Sequence, residues 1–267
     1  MLRLSGLYRY PLKSAIAEPL TDIQLDALGV VGDRRWMVVD AQNGRFLTQR
    51  ALPHMSQLLA RHTATGGLTL SAPGFPALDV PLPDPDAMLR GVFIWSDSLY
   101  VPDAGDEAAE WLSRFIGKPC RLVHVPAERA RYIAGNLSAE QKVGFADGFP
   151  LLLIGQASLD DLSARVGRPL EMLRFRPNLV VEGGAAYAED SWRRIRIGDV
   201  EFRVAKGCTR CILTTIDPLT GERSADREPL ATLKTYRARD GELYFGQNLI
   251  NQGGGELKLG MTVEVLE

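Results

Sequence analysis

The 267-residue sequence predicts a strand-rich, mixed α+β fold with antiparallel or mixed barrels rather than a doubly wound sheet. Three observations carry this. Short β-branched and aromatic runs recur along the whole chain, helical patterns are few and isolated, and neither regular β–α alternation nor an internal repeat is present. Apolar residues make up 45% and charged residues 24%, enough to bury a sizeable core.

Taken in order, "RWMVVDAQNGRFLTQR" reads as two strands around the hairpin dipeptide Asn43-Gly44, and "VFIWSDSLYVPDAG" as a second hairpin turning at Ser96-Asp97-Ser98. The proline-dense "APGFPALDVPLPDPDA" between them is loop or edge strand. "DEAAEWLSRFIG" is a helix with acids in its first turn and Gly117 as its stop, and "CRLVHV" is a short strand. Residues 126–148 are irregular and polar, which divides the chain into an N-terminal domain, 1–125, and a C-terminal domain, 126–267. Beyond that join, "FPLLLIG" is a buried strand and "SLDDLSARVG" a helix whose Ser158 and Asp161 suggest a capping box. "NLVVEG", "RRIRIGDVEFRVA" with a Gly198-Asp199 turn, and "CILTTID" read as strands. "EPLATLKTYR" is a helix, and "LYFGQNLI" and "LKLGMTVEVL" close the chain in strands.

A net charge of −2 and no basic run argue against a nucleic-acid surface, so any positive feature must be a local pocket. The N-terminus has no continuous apolar segment of the signal-peptide kind, and the longest apolar run is far too short to span a bilayer. Three cysteines do not suggest a disulfide framework. These features together predict a cytoplasmic protein that makes no membrane contact.

The chemistry concentrates in "RVAKGCTRCILTTIDPLTGERS", where Cys208 and Cys211 form a CxxC. Zinc would need two further ligands, and Cys120, His54, His62 and His124 lie far upstream without ligand spacing. A redox dithiol favours a helix N-terminus, whereas this pair sits between strand-like runs. A merely packed Cys211 is the plain alternative. Arg210 next to Cys211 favours the thiolate, the form that binds a metal. Other polar and cationic groups occur at Lys13-Ser14, at Arg34-Arg35, and at Arg174, Arg176 and Asn178 in "LRFRPNLVV". Arginines placed just before a buried strand need an acid or a phosphate, with Glu182, Asp217 and Glu228 as candidate acids.

Five segments, "GCTRCILTTIDPLTGERS", "LRFRPNLVVEG", "YPLKSA", "DGFPLLLI" and "LYFGQN", together resemble MOSC-domain proteins of the YcbX-like and amidoxime-reducing-component branch. The resemblance runs in order from about residue 5 to the C-terminus, and implies an N-terminal β-barrel domain followed by a MOSC-domain barrel with a few flanking helices. It also implies a molybdenum enzyme with a molybdopterin-type pyranopterin cofactor. Cys211 is then the protein ligand to the metal. Lys13, Ser14 and Arg34 hold the phosphate end, and Arg176, Asn178, Thr209, Arg210 and Asn248 make further contacts. Asp147, just before the "FPLLLI" strand, is the candidate for proton handling.

The implied activity is reduction of N-hydroxylated substrates: hydroxylamines, amidoximes and hydroxylated bases. Two alternatives stand beside it, a non-catalytic carrier of the cofactor or its sulfur, and a thiol-redox protein using the CxxC. The sequence ends directly after the MOSC module without the ferredoxin domain of many YcbX-like proteins. Electrons are therefore expected from a separate ferredoxin-, flavodoxin- or cytochrome-b5-like carrier with its reductase. The loops around residues 61–90 and 127–142 are expected to shape access to the site.

Overall fold

A computed structural model describes residues 1–86, 88–133 and 141–267. Its largest sheet begins at the N-terminus. Arg3–Arg9 alternates so that Leu4 points inward between exposed Arg3 and Ser5, the period-2 signature of a half-buried strand. In spatial order the sheet runs Glu18–Leu20, Arg3–Arg9, Leu179–Glu182, Leu151–Gly155, Glu242–Asn251, Val200–Thr209, Arg194–Ile197 and Val263–Val265. Only Leu151–Gly155 against Leu179–Glu182 is parallel. The first strand thus pairs with residues some 170 positions downstream, inside the C-terminal half. Leu4, Leu7, Leu153, Leu179, Ile195, Ile197, Phe202 and Leu249 form its core.

A second core belongs to the N-terminal half. Trp36, Val38, Met55, Leu58, Leu68 and Leu70 pack against Trp111 and Leu112 of helix α1, Asp106–Ile116. Gly117 ends α1 in the left-handed conformation, as the sequence predicts. Phe75–Val80 is an edge strand of the three-stranded sheet with Leu59–His62 and Leu68–Ala72, which suits its proline. In the C-terminal half the helices are α2, Gln156–Val166, and α3, Leu230–Tyr236. Among the described residues no helix is long and apolar enough to cross a membrane.

Five expectations change. The large sheet curls until Arg3 bridges Thr262, with the Leu4 amide donating to Met261 O at 2.9 Å, but it does not close into a barrel ladder. Among the described residues no other sheet closes either. "CILTTID" is not a strand, because Ile212–Thr215 winds into a 3₁₀ turn whose Thr214 and Thr215 hydroxyls donate back to Cys211 O and Ile212 O. Those side-chain bonds give the backbone a local alternative to a sheet ladder. Ser158 caps nothing. It lies inside α2 and donates to buried Glu189, which also accepts from the Gly155 amide at 3.0 Å. The second hairpin turns at Trp95-Ser96, since Ile94 pairs with Asp97. The Asn43-Gly44 turn forms, but beyond it Phe46 makes only an isolated bridge to Val39, and Trp36–Asp40 finds its ladder partner in Cys120–His124. Of the expected join, residues 134–140, part of the 127–142 loop, lie outside the described residues, as does Ala87 of the 61–90 loop.

Phe202 is fully buried at the centre of the curled sheet. Phe202→Ala is expected to lower unfolding free energy by about 3–5 kcal/mol in urea titrations.

Candidate functional site

A cavity of about 450 Å³ opens where loops from both halves meet the ends of the curled sheet. Lys13, Ser14, Arg34, Asp147, Arg176, Asn178, Thr209, Arg210, Cys211 and Asn248 all line it. The backbone brings them together by short links. The Lys13 amide donates to Trp36 O at 2.8 Å, the Arg34 amide to Tyr10 O at 2.7 Å, the Phe145 amide to Arg34 O at 2.7 Å and the Asn178 amide to Leu152 O at 2.8 Å. Seven described non-glycine residues have a positive φ, and four of them line this cavity: Ser14 at 64°, Arg34 at 48°, Trp95 at 54° and Arg176 at 56°. Left-handed backbone costs L-residues energy and gathers where geometry is over-determined.

Two knots hold the cations. In the first, Tyr10 is buried with the Arg34 guanidinium 4.5 Å and the Arg176 guanidinium 4.2 Å from its ring centre. Arg34 donates to Asp33 Oδ2 at 2.6 Å and to Asn178 Oδ1 at 3.2 Å, and Arg176 donates to Ala15 O at 2.7 Å. Asn178 is wholly buried, and its amide nitrogen donates to Tyr8 O and Asp33 Oδ1. It ties segments together and presents no spare donor to the cavity. Burial pulls the Arg176 guanidinium down to about 10.

In the second knot, buried Lys13 donates to Phe145 O at 2.8 Å and forms an ion pair with Asp147. Arg50 Nη2 reaches the same carboxylate at 3.5 Å, while its Nε donates to Cys211 Sγ at 3.4 Å. Loss of water lowers the Lys13 ammonium to about 8, with Asp147 opposing. Desolvation would raise the Asp147 carboxyl, but Lys13, Arg50 and Arg34 together hold it well below the usual carboxylate range.

Thr209 ends the strand Val200–Thr209, and the Arg210 amide donates to Leu243 O at 2.7 Å. Arg210 reaches Phe245 O and Phe175 O, leaving Nη2 buried without a partner. Asn248 Nδ2 donates to Gly207 O at 3.4 Å. Arg174 finds the predicted acid, Asp217, at 2.7 Å, and adds Glu171 at 2.6 Å, yet its Nη1 is unpaired. Cys208 packs against the apolar cluster of Leu152, Ile154, Phe175 and Phe245, and both motif cysteines are free thiols. The zinc candidates are dispersed: Cys120 lies in the N-terminal core, His124 packs at a tilt against Trp36, His54 meets Phe115 edge-on, and His62 bonds Gly32 O. Among the described residues no three His, Cys, Asp or Glu gather to hold a metal.

Arg50 and Trp95 went unseen in the sequence. Both sit in runs that read simply as strand and turn, and nothing local marks them.

Residues 1–119 match the MOSC N-terminal beta barrel domain family, and residues 140–264 match the MOSC domain family. Human mitochondrial amidoxime-reducing component 1 is 35% identical over 98% of this chain and 82% of its own length. The chain belongs to the MOSC family of amidoxime-reducing components. Human mitochondrial amidoxime reducing component 2 is 34% identical over 89% of this chain and 73% of its own length. The solved YUAD protein from Bacillus subtilis is 12% identical, with 99% of this chain and 95% of that chain aligned at a TM-score of 0.46, a likeness that carries no argument. The mitochondrial names of the relatives overturn the cytoplasmic expectation.

MOSC membership implies a molybdenum cofactor, and the cavity fits one on its own chemistry. Among the described residues seven basic side chains line it against two acidic ones, although the whole chain carries −2. Arg210 Nη2 and Arg174 Nη1 are buried donors in want of an acceptor, as a phosphorylated pterin would supply. Cys211 offers the one soft donor held by a cation.

Because Lys13 is depressed to about 8, its charge is complete below that pH and is lost as pH rises through it. Inorganic phosphate, used as a probe in calorimetric titrations, should bind more weakly at pH 9.5 than at pH 7.5, by about tenfold. Lys13→Gln should bind weakly at both, and a pH-independent wild-type affinity would contradict the assignment.

Proposed function

We propose that this chain reduces N-hydroxylated compounds at the cavity floored by Cys211, with Lys13, Ser14, Arg34, Arg176, Thr209 and Arg210 holding the cofactor's phosphorylated pterin. It is an N-reductive oxidoreductase of the amidoxime-reducing family. The observation that carries this reading is a single cation-held thiol in a cavity whose walls are strongly basic within an acidic chain. When bound, molybdenum supplies the two-electron redox chemistry. The protein's share is binding, orientation and protons.

The reaction balances as R–NHOH plus two electrons and two protons, giving R–NH₂ and water: the N–O bond breaks, one proton goes to the oxygen, which leaves as water, and the other goes to the nitrogen. Electrons come from a separate carrier of the ferredoxin, flavodoxin or cytochrome-b5 class. Asp147 changes role. A carboxylate kept ionised by Lys13 and Arg50 is a poor acid at neutral pH, so it serves as a hydrogen-bond acceptor that fixes both cations.

The carrier reading shares the same cavity and differs only in turnover. The dithiol reading is disfavoured by the different surroundings of the two sulfurs, since Cys208 packs against apolar groups while Cys211 faces Arg50. Protein made in a cofactor-competent host should therefore hold about one molybdenum per chain and reduce an amidoxime with an artificial donor. Cys211→Ala should abolish reduction, while Cys208→Ala should keep a tenth or more of it, read as kcat together with metal content. Equal losses would contradict the ligand assignment, and metal without turnover would select the carrier.

A further inference from the structure

Trp95 occupies a place where tryptophan is ill suited. The hairpin of Leu89–Ile94 and Asp97–Pro102 closes through two residues, Trp95 and Ser96, with Ile94 paired to Asp97. Trp95 alone of these two has a positive φ, 54°, the pattern of a II′ turn whose first central position favours glycine. A bulky ring there is a backbone outlier with no packing reward of the usual kind, because 47% of it stays exposed. The ring is nonetheless held. The Arg50 guanidinium lies 4.8 Å from its centre, and Phe46 meets it edge-on at 5.0 Å. It also lines the cavity. One guanidinium therefore separates the indole from the Cys211 sulfur, since Arg50 touches both.

A strained, half-exposed aromatic ring braced at the mouth of a redox cavity has a specific use. It offers a flat π-surface to whatever enters, at a fixed distance from the reacting end. Resting on the N-reductive reading above, we propose that Trp95 is a substrate-recognition residue that selects flat, π-conjugated N-hydroxy compounds, such as aryl amidoximes or N-hydroxylated nucleobases, over aliphatic ones. The conjugated ring stacks on the indole, and the N-hydroxy group is thereby directed past Arg50 toward Cys211. Stacking is tolerant of ring identity, so the preference is for a class and not for one compound.

The chain carries its own reporter. Of its four tryptophans, Trp36, Trp111 and Trp192 are 0%, 7% and 7% exposed, so Trp95 is the one open indole. Two measurements on the cofactor-loaded protein test the proposal. In the first, an aryl amidoxime is expected to quench tryptophan emission saturably, with an aliphatic amidoxime doing so far less. The saturable quenching should vanish in Trp95→Phe. In the second, the ratio of kcat/KM for the aryl over the aliphatic amidoxime should fall roughly five- to hundred-fold in Trp95→Ala, through KM, and recover substantially in Trp95→Phe. An unchanged ratio in Trp95→Ala, or a Phe variant no better than Ala, overturns the proposal. If neither compound is turned over, the N-reductive reading fails, and the quenching titration alone decides whether Trp95 receives flat N-hydroxy ligands.

Discussion

Like charges resist being gathered, and everything at this site follows from how the chain overcomes that resistance. Several of the cations on the cavity wall are largely buried, where mutual repulsion and lost hydration act together. The fold answers with fixed acceptors rather than with equal numbers of acids. Asp33 takes Arg34, Asp147 takes Lys13 and Arg50, and carbonyls of Ala15, Phe145, Phe175 and Phe245 accept from Arg176, Lys13 and Arg210, with Arg210 Nη2 left over. Tyr10 sets its ring against both the Arg34 and the Arg176 guanidinium, an attraction that offsets their crowding. The surplus of positive charge that survives is the binding potential for an anionic ligand.

That arrangement explains why the chain's two halves are interleaved. Lys13, Ser14 and Arg34 hang from the segment that follows the first strand, and that strand pairs with Leu179–Glu182 of the C-terminal sheet. Asn178 lies at the crossing point, accepting from the Leu152 amide at 3.2 Å and donating to Tyr8 O at 3.1 Å. A site built on one half alone would lose either its lysine or its thiol. Gly246 serves the same convergence: a Cβ there would come within 2.8 Å of Leu153 O and 3.4 Å of Arg210 Nη2.

Much of this was legible in the sequence because the signals were local. Gly117 and the acids of "DEAA" mark α1 by its ends, and Gly198-Asp199 marks a hairpin by its turn. The ten positions expected at the site lie in short segments that resemble the family in order and composition, and all ten line one cavity. What failed turned on side-chain bonds, one local and the others distant in the chain. "CILTTID" is β-branched, yet two threonine hydroxyls donate back to carbonyls three residues before them where it winds into a turn. Ser158 looks like a cap until Glu189, 31 residues away, claims its hydroxyl. Arg50 becomes visible only when the structure places it beside Cys211, 161 positions downstream.

Ser14, Arg34 and Arg176 each sit in a conformation that glycine would adopt at less cost, and glycine there would lose the very side chain the cavity needs. Of the basic side chains lining the cavity, Arg34 and Arg176 leave the chain at such left-handed positions. The hydrogen bonds from the Arg34 amide to Tyr10 O and from the Phe145 amide to Arg34 O, both 2.7 Å, fix one such turn from either side. Strain at this site accompanies the convergence of side chains from separate segments on one point, and four of the seven left-handed non-glycine residues among those described line the cavity rather than the cores beneath it.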